Sequence, residues 1–87
     1  MTIYIVTGIY QDYDDRWQWP VRAFRDEGAA IQHVQAAEGF AEDVKTQHEA
    51  AVRVGDDYDF PPSPHDPYFI RYARLEPYYD YEAIELQ

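Results

Sequence analysis

Few side chains in this sequence could carry out nucleophilic or acid–base chemistry. Ser63 is the only serine, and it stands between two prolines rather than in the Gly-x-Ser-x-Gly turn of a hydrolase nucleophile. His33 and His48 are fifteen residues apart, which is not the i, i+4 spacing of two helical metal ligands. His65 could titrate near neutral pH, but no second catalytic group stands beside it. These observations predict that the chain is not an enzyme.

Two groups of aspartates could in principle bind a hard cation. One spans Asp12–Asp15 and the other spans Asp56–Asp59. The first begins like a calcium-binding loop, with Asp-x-Asp, but its sixth position is Trp17 instead of glycine and its twelfth is Ala23 instead of glutamate. The second group lacks the spacing altogether. Glycine-rich phosphate loops are also missing from the sequence, so we expect no metal and no cofactor.

A recurring feature is tyrosine next to aspartate or glutamate. It occurs in three acidic segments, residues 10–15, 56–60 and 78–82, and none of them contains a basic residue. Tyrosine gives a large contact area at low entropic cost, and surrounding carboxylates complement arginine and lysine. The predicted binding residues are Asp12, Tyr13, Asp14, Asp15, Asp56, Asp57, Tyr58, Asp59, Tyr79, Asp80 and Glu82. In the alternative interpretation, the tyrosines, above all Tyr79 and Tyr81, are half-buried strand residues and the acids are solvated turns.

The charge of the whole chain limits its partners. Seventeen acidic residues face seven basic ones, for a net charge of −10. Such a chain repels nucleic acid and anionic membranes and is attracted to basic protein surfaces. Solubility alone, or a salt-adapted or GC-rich source, would account for the same composition.

The sequence also indicates the compartment. Cysteine is absent, which excludes disulfides and thiolate chemistry. The start of the chain, Met1–Tyr4, has neither a basic segment nor a long apolar run. We therefore expect a soluble, cytoplasmic protein.

The first half of the chain predicts a β-hairpin followed by a long helix. Alternation predicts strands over Thr2–Tyr10 and Arg16–Arg25, with Gly8 at a bulge or a close approach. Asp26 is suited to cap a helix that extends to Val54 and stops at Gly55. This length leaves open a break near Gly39.

The second half predicts a loop and two further strands. Residues 55–67 contain four of the six prolines and predict an extended surface loop. Strands are predicted over Tyr68–Leu75 and Tyr79–Leu86, with a turn at Glu76-Pro77. The expected fold is a single α+β domain, residues 1–87, with the order β-β-α-β-β and one main helix packed on one face of an antiparallel sheet.

Several short stretches of the chain form a recognisable set: the opening Ile3-Tyr4-Ile5-Val6-Thr7-Gly8, Tyr10 and Asp12-Tyr13, then Val21, Ala23-Phe24, Ala30 and the terminal Tyr81–Leu86. In these stretches the chain resembles a family of short uncharacterised phage and bacterial proteins. Members open with a strand of the form Val-Tyr-Val-Val-Thr followed by Tyr-Ser-Asp-Tyr. The proline-rich loop matches poorly. The resemblance implies the same order of elements and a phage or mobile-element origin, and it supplies no activity.

Two functions lead the hypotheses, ahead of a small metal-dependent enzyme. The first is an acidic accessory protein that binds and modulates a host protein. In its sharper form the target is a basic, nucleic-acid-binding protein, and the acids take the place of phosphates, as in an inhibitor of CRISPR or restriction systems. The alternative is a self-associating structural or regulatory module, a homodimer formed through Trp17, Trp19 and the strand edges.

Overall fold

The computed structural model describes residues 1–87 and shows an α+β fold. Its elements in chain order are the strands β1 (Thr2–Gln11) and β2 (Arg16–Phe24), the helices α1 (Glu27–Arg53) and α2 (Phe69–Tyr72), a 3₁₀ turn (Ala73–Leu75) and the strand β3 (Tyr78–Glu85). The three strands form an antiparallel sheet in the order β2-β1-β3. The expected class is therefore confirmed, whereas the β-β-α-β-β order holds only approximately, with three strands and an additional short helix. No helix in the chain is long and apolar enough to span a bilayer.

β1 is the central strand because apolar residues occupy both of its faces. It pairs with β2 over residues 4–11 on one side and with β3 over residues 2–9 on the other. The register with β2 shifts between Val6 and Thr7, where Thr7 faces Pro20. Proline cannot donate a backbone hydrogen bond, and the edge position of β2 accommodates it.

α1 is one continuous helix from its cap to its stop. The Asp26 carboxylate accepts the Ala29 backbone N–H at 2.8 Å, which satisfies one of the unpaired donors of the first turn. The helix passes through Gly39 without a break, so the interruption left open there is absent. It ends before Gly55, whose φ of 76° is a left-handed conformation that glycine adopts without strain.

The predicted strand over Tyr68–Leu75 is wrong. This segment forms α2 and the 3₁₀ turn, and it ends at Glu76 with a φ of 54°. Phe69 and Ala73 are both buried and are four residues apart, which is the spacing of one helical face. They pack with Val44 in a cluster beyond the sheet, and this contact, together with the Asp66 turn before α2, selects the helix over an alternating strand.

A polar centre connects the proline-rich loop to the sheet. Asp66 is only 1% exposed, and its Oδ2 accepts hydrogen bonds from the Trp19 indole at 3.0 Å and the Tyr79 hydroxyl at 2.8 Å. Its Oδ1 accepts the Tyr68 backbone N–H at 2.9 Å. The loop predicted to be an extended surface segment is therefore fastened into the core at this point.

Gly8 makes this arrangement possible. Trp19 and Tyr79 lie directly across from Gly8 on the two neighbouring strands. The Trp19 ring crosses over Gly8, where a Cβ would lie only 2.3 Å from it. The close approach expected from the sequence at Gly8 is thus present, and it lets two side chains from different strands reach one carboxylate.

The sheet has one covered face and one open face. α1 covers the face that carries Val6 and Tyr79, as shown by the buried Ala30 and Ala37 and by the hydrogen bond from the Tyr79 N–H to Glu38 at 3.4 Å. The open face carries the residues that alternate with Val6 along β1 and with Tyr79 along β3, and α1 does not cover it. These residues are Ile3, Ile5 and Thr7 of β1, which are half-buried, and Ile9, which is only 4% exposed, with cross-strand partners that include Gln18, Pro20, Asp80 and Glu82.

Candidate protein-binding surface

The first acidic segment forms the end of the β1–β2 hairpin. We call residues Tyr10–Trp17 the hairpin tip. Its backbone is closed by the Asp12 N–H donating to the Asp15 carbonyl at 2.8 Å, and the Asp12 carboxylate accepts the Tyr13 N–H at 2.7 Å. These bonds order the turn and leave the Tyr13 side chain fully exposed, at 101%. An ordered turn therefore presents an aromatic ring to solvent among three exposed aspartates, Asp12, Asp14 and Asp15.

Trp17 adds a second aromatic side chain to the hairpin tip. It stacks on Tyr10, with ring centroids 5.5 Å apart and planes 30° apart, and it remains 50% exposed. In the sequence analysis, Trp17 is named as a contact residue only for a homodimer, and Tyr10 is not named among the binding residues. The signal that could have found Trp17 is its position next to the turn, two residues closer to it than the buried Trp19.

The only basic side chain of the hairpin tip is engaged by amides. Arg16 donates from Nε to the Gln18 side chain at 3.3 Å and from a terminal nitrogen to the Gln11 side chain at 3.4 Å. The chain contains two ion pairs, Met1–Glu85 and Lys45–Glu76, and neither involves the hairpin tip. The three aspartates are therefore not neutralised from within. Partial desolvation, followed by the nearby Asp12, raises the pKa of Tyr10, so that ring stays neutral.

The second acidic segment follows the end of α1. The Asp56 N–H donates to the Ala51 carbonyl at 2.9 Å, and the Tyr58 hydroxyl donates to the Gln47 side chain at 3.0 Å. Tyr58 also packs against His48 and Phe60, with ring centroids 5.7 Å and 5.1 Å away. Tyr58 therefore holds this segment onto α1 and is half-buried, while Asp56, Asp57 and Asp59 are exposed.

The third acidic segment is divided between the two faces of the sheet. Tyr79 is 3% exposed and belongs to the core, so its assignment as a contact residue is corrected. Tyr81 is half-buried on the same face, and its pKa is raised by the hydrogen bond that its hydroxyl donates to Glu27. Asp80 and Glu82 are exposed on the open face. The strand period of two thus separates Tyr79 and Tyr81 from Tyr78 and the two acids.

Two acids, one on α1 and one on β3 itself, protect the free edge of β3. The outward N–H of Tyr79 donates to Glu38, and that of Tyr81 donates to the Asp80 carboxylate at 2.8 Å. Unpaired N–H groups on an edge strand are a template for another strand. Part of this edge is therefore already occupied by side chains of the chain itself.

Ser63 and two histidines take part in hydrogen bonds within the fold. The Ser63 hydroxyl oxygen accepts the His65 backbone N–H at 3.1 Å, and the His33 Nε2–H donates to the His65 carbonyl at 2.7 Å. The His65 ring packs edge-on against His33 and Phe40. No group of three histidine, aspartate or glutamate side chains converges closely enough to hold a metal ion.

The hairpin tip combines a fully exposed tyrosine and a second exposed aromatic ring with exposed carboxylates. In the other two segments, Tyr58, Tyr79 and Tyr81 pack against α1 or the sheet, and Tyr78 is 44% exposed. What the hairpin tip can do chemically is bury Tyr13 and Trp17 against a partner while its aspartates accept hydrogen bonds from cationic side chains. Neither a protein-family model nor a curated protein nor a solved structure matches this chain.

Proposed function

We propose that this chain is a small acidic accessory protein of phage type that binds and modulates a host protein through its hairpin tip. The observation that carries the proposal is the fully exposed Tyr13 amid three aspartates without an ion-pair partner. In the sharper form of the proposal, the target is a basic, nucleic-acid-binding protein. The chain itself acts by binding and not by catalysis.

The physical support lies in the different contributions of aromatic side chains and carboxylates to binding. Aromatic residues dominate binding energy when they are buried at the centre of an interface, and tyrosine loses little conformational entropy there. Carboxylates at the rim attract a basic partner from a distance and speed association. A surface that combines exposed aromatics with unneutralised acids therefore favours a positively charged protein over nucleic acid or an anionic membrane.

Capture of a partner by matched variants tests the proposal. Purified wild type, the Tyr13→Ser/Trp17→Ala double variant and Asp43→Asn would be used as baits for a host lysate at low and moderate salt. Asp43 lies on α1, so the Asp43→Asn substitution removes one negative charge and leaves the hairpin tip unchanged. We expect one partner that wild type and Asp43→Asn retain, that the double variant loses, and that moderate salt weakens. Equal capture by all three baits would contradict the proposal.

The sharper form has its own readout. A partner captured through the hairpin tip should lose its binding to nucleic acid when wild type is added, and keep it when the double variant is added. A captured partner that binds nucleic acid equally well in both cases would leave the binding function standing and would rule out phosphate mimicry.

A self-associating module is the second candidate, and the open face is the observation that favours it. Trp19 is 6% exposed and cannot contribute to a homodimer in the way first expected. The half-buried β-branched residues Ile3, Ile5 and Thr7 offer an alternative surface for a second copy, in a sheet-on-sheet packing. A net charge of −10 opposes this association. Light scattering at high protein concentration that shows only a monomer would exclude it.

A further inference from the structure

A cleft lies between α1 and the chain that leads from α2 into β3. Its volume is about 260 Å³, and its apolar lining includes Ala41, Phe69 and Ala73. Its acidic side chains are Glu38, Glu42 and Glu76. The cleft therefore combines an apolar wall with three carboxylates.

The charges of the cleft are unbalanced. Glu38 and Glu42 are four residues apart on α1, a spacing at which like charges repel. The one base in the cleft, Lys45, lies 3.8 Å from Glu76, and the two side chains are 40% and 59% exposed, so solvent screens the pair and it contributes little. Three acids and one base leave the cleft with a deficit of positive charge that an incoming cation would relieve.

The size and geometry select the kind of cation. A volume of 260 Å³ is below the ~300–1,000 Å³ typical of small-molecule pockets. The carboxylates do not converge closely enough to coordinate a metal ion. An arginine side chain fits both facts, because its methylene stem packs on an apolar wall while its planar guanidinium donates to carboxylates in several directions. Tyr78 also lines the cleft and is 44% exposed.

The cleft lies at the same end of the sheet as the hairpin tip. Tyr78 pairs with Ile9 of β1, and Ile9 pairs with Gln18 of β2 on its other side. Two strand spacings of about 4.8 Å therefore separate Tyr78 from the base of the hairpin tip. One partner could occupy both places.

We propose that this cleft is a socket for an arginine side chain of the partner protein. The claim that the arginine belongs to the partner protein rests on the proposed function, and it specifies one contact of that interaction. The affinity of the cleft for the arginine side chain is a property of this chain alone and can be measured without the partner.

The experiment is a titration of the full-length ¹⁵N-labelled chain with N-acetyl-arginine amide at constant ionic strength. We expect amide shifts concentrated at Ala41, Ala73 and Tyr78, with weaker and less localised shifts for N-acetyl-lysine amide. Glu42→Gln should weaken arginine-amide binding roughly fivefold, because it removes one charge-assisted acceptor. Glu49→Gln makes the same charge change on α1 outside the cleft and should leave the affinity unchanged.

Three results would overturn the socket. Shifts of equal midpoint along all acidic segments would show general charge attraction. If Glu42→Gln and Glu49→Gln weakened the binding of N-acetyl-arginine amide equally, the cleft would not be the binding site. Equal affinity for the lysine amide would remove the preference for arginine. Loss of capture in the hairpin-tip experiment does not affect this titration, so the two proposals fail separately.

Discussion

Asp66 and the aspartates of the hairpin tip are the same residue type in similarly polar, turn-forming stretches, yet the fold uses them in opposite ways. Asp66 is 1% exposed and has donors from two strands and its own loop on its oxygens. Asp12, Asp14 and Asp15 face solvent. Of their carboxylates, only that of Asp12 accepts a hydrogen bond, from the backbone N–H of Tyr13. Burial makes hydrogen bonds to a carboxylate strong and their loss expensive, whereas solvent leaves a carboxylate free to meet a partner. Aspartates of one chain can therefore serve two separate purposes: a buried one stabilises the fold, and exposed ones can contact a partner.

The largest effect should come from removing the buried carboxylate. Asp66→Ala leaves the Trp19 indole and the Tyr79 hydroxyl without an acceptor in the core. Each buried donor left unsatisfied costs about 1–3 kcal/mol, so we expect a loss of about 3–5 kcal/mol in the free energy of unfolding. Urea denaturation followed by circular dichroism measures it.

A milder variant keeps this prediction testable if Asp66→Ala does not fold. Asp66→Asn preserves the shape, but its amide group must face either the Tyr68 N–H or the two side-chain donors. We expect an intermediate loss. An Asp66→Asn variant as stable as wild type would mean that Asp66 is not the fastening point of the loop.

Gly8→Ala disturbs the same centre without touching an acid. The added Cβ would lie 2.3 Å from the Trp19 ring and would force it away from Asp66. Overpacking of this kind costs about 1–3 kcal/mol. Gly39→Ala is the matched control, because a Cβ there meets nothing within 4 Å and alanine favours the middle of α1 by about 0.5–1 kcal/mol. Thermal unfolding should therefore shift in opposite directions for the two variants, and shifts in the same direction would contradict the packing around Gly8.

The sequence predicted local features well because their causes are local. The Asp26 cap, the Gly55 stop and the close approach at Gly8 each depend on one residue and its immediate neighbours. The Asp66 centre was missed because its partners Trp19 and Tyr79 are 47 and 13 residues away. Alternation over Tyr68–Leu75 was misread as a strand because the contact of Phe69 and Ala73 with Val44 is invisible in a local pattern.

The candidate site was predictable in composition but not in detail. The hairpin turn near Asp12–Asp15 follows from the sequence, and so does the period of two that divides β3. The interpretation in which Tyr79 and Tyr81 are strand residues describes their positions. The burial of Trp19 could not be predicted, since it lies on the same face as Trp17 and is buried by contacts with the distant loop around Asp66.

High pH should lower the free energy of unfolding through the buried Asp66 centre, by a smaller amount than the substitutions above. Burial, followed by the hydrogen bond to Asp66, raises the pKa of Tyr79 above its ordinary value of 10.0. A raised pKa stabilises the fold fully below pH 10, and this contribution is lost as pH rises above 10, at up to ~1.4 kcal/mol per pH unit. Tyr79→Phe removes the titrating group, so its stability should fall less steeply over that range. Parallel slopes for wild type and Tyr79→Phe in denaturation at several pH values would contradict it.

The smallest effect on stability should come from neutralising the hairpin tip. The triple variant Asp12→Asn/Asp14→Asn/Asp15→Asn keeps the side-chain acceptor for the Tyr13 N–H, because the asparagine oxygen can replace the carboxylate oxygen. With no ion pair to lose and some like-charge repulsion removed, the free energy of unfolding should stay within about 0.5 kcal/mol of wild type. Partner capture, in contrast, should weaken and lose most of its salt dependence, since the steering charge is gone. A triple variant as unstable as Asp66→Asn would mean that the exposed acids also hold the fold together, and the contrast between the buried and the exposed aspartates would disappear.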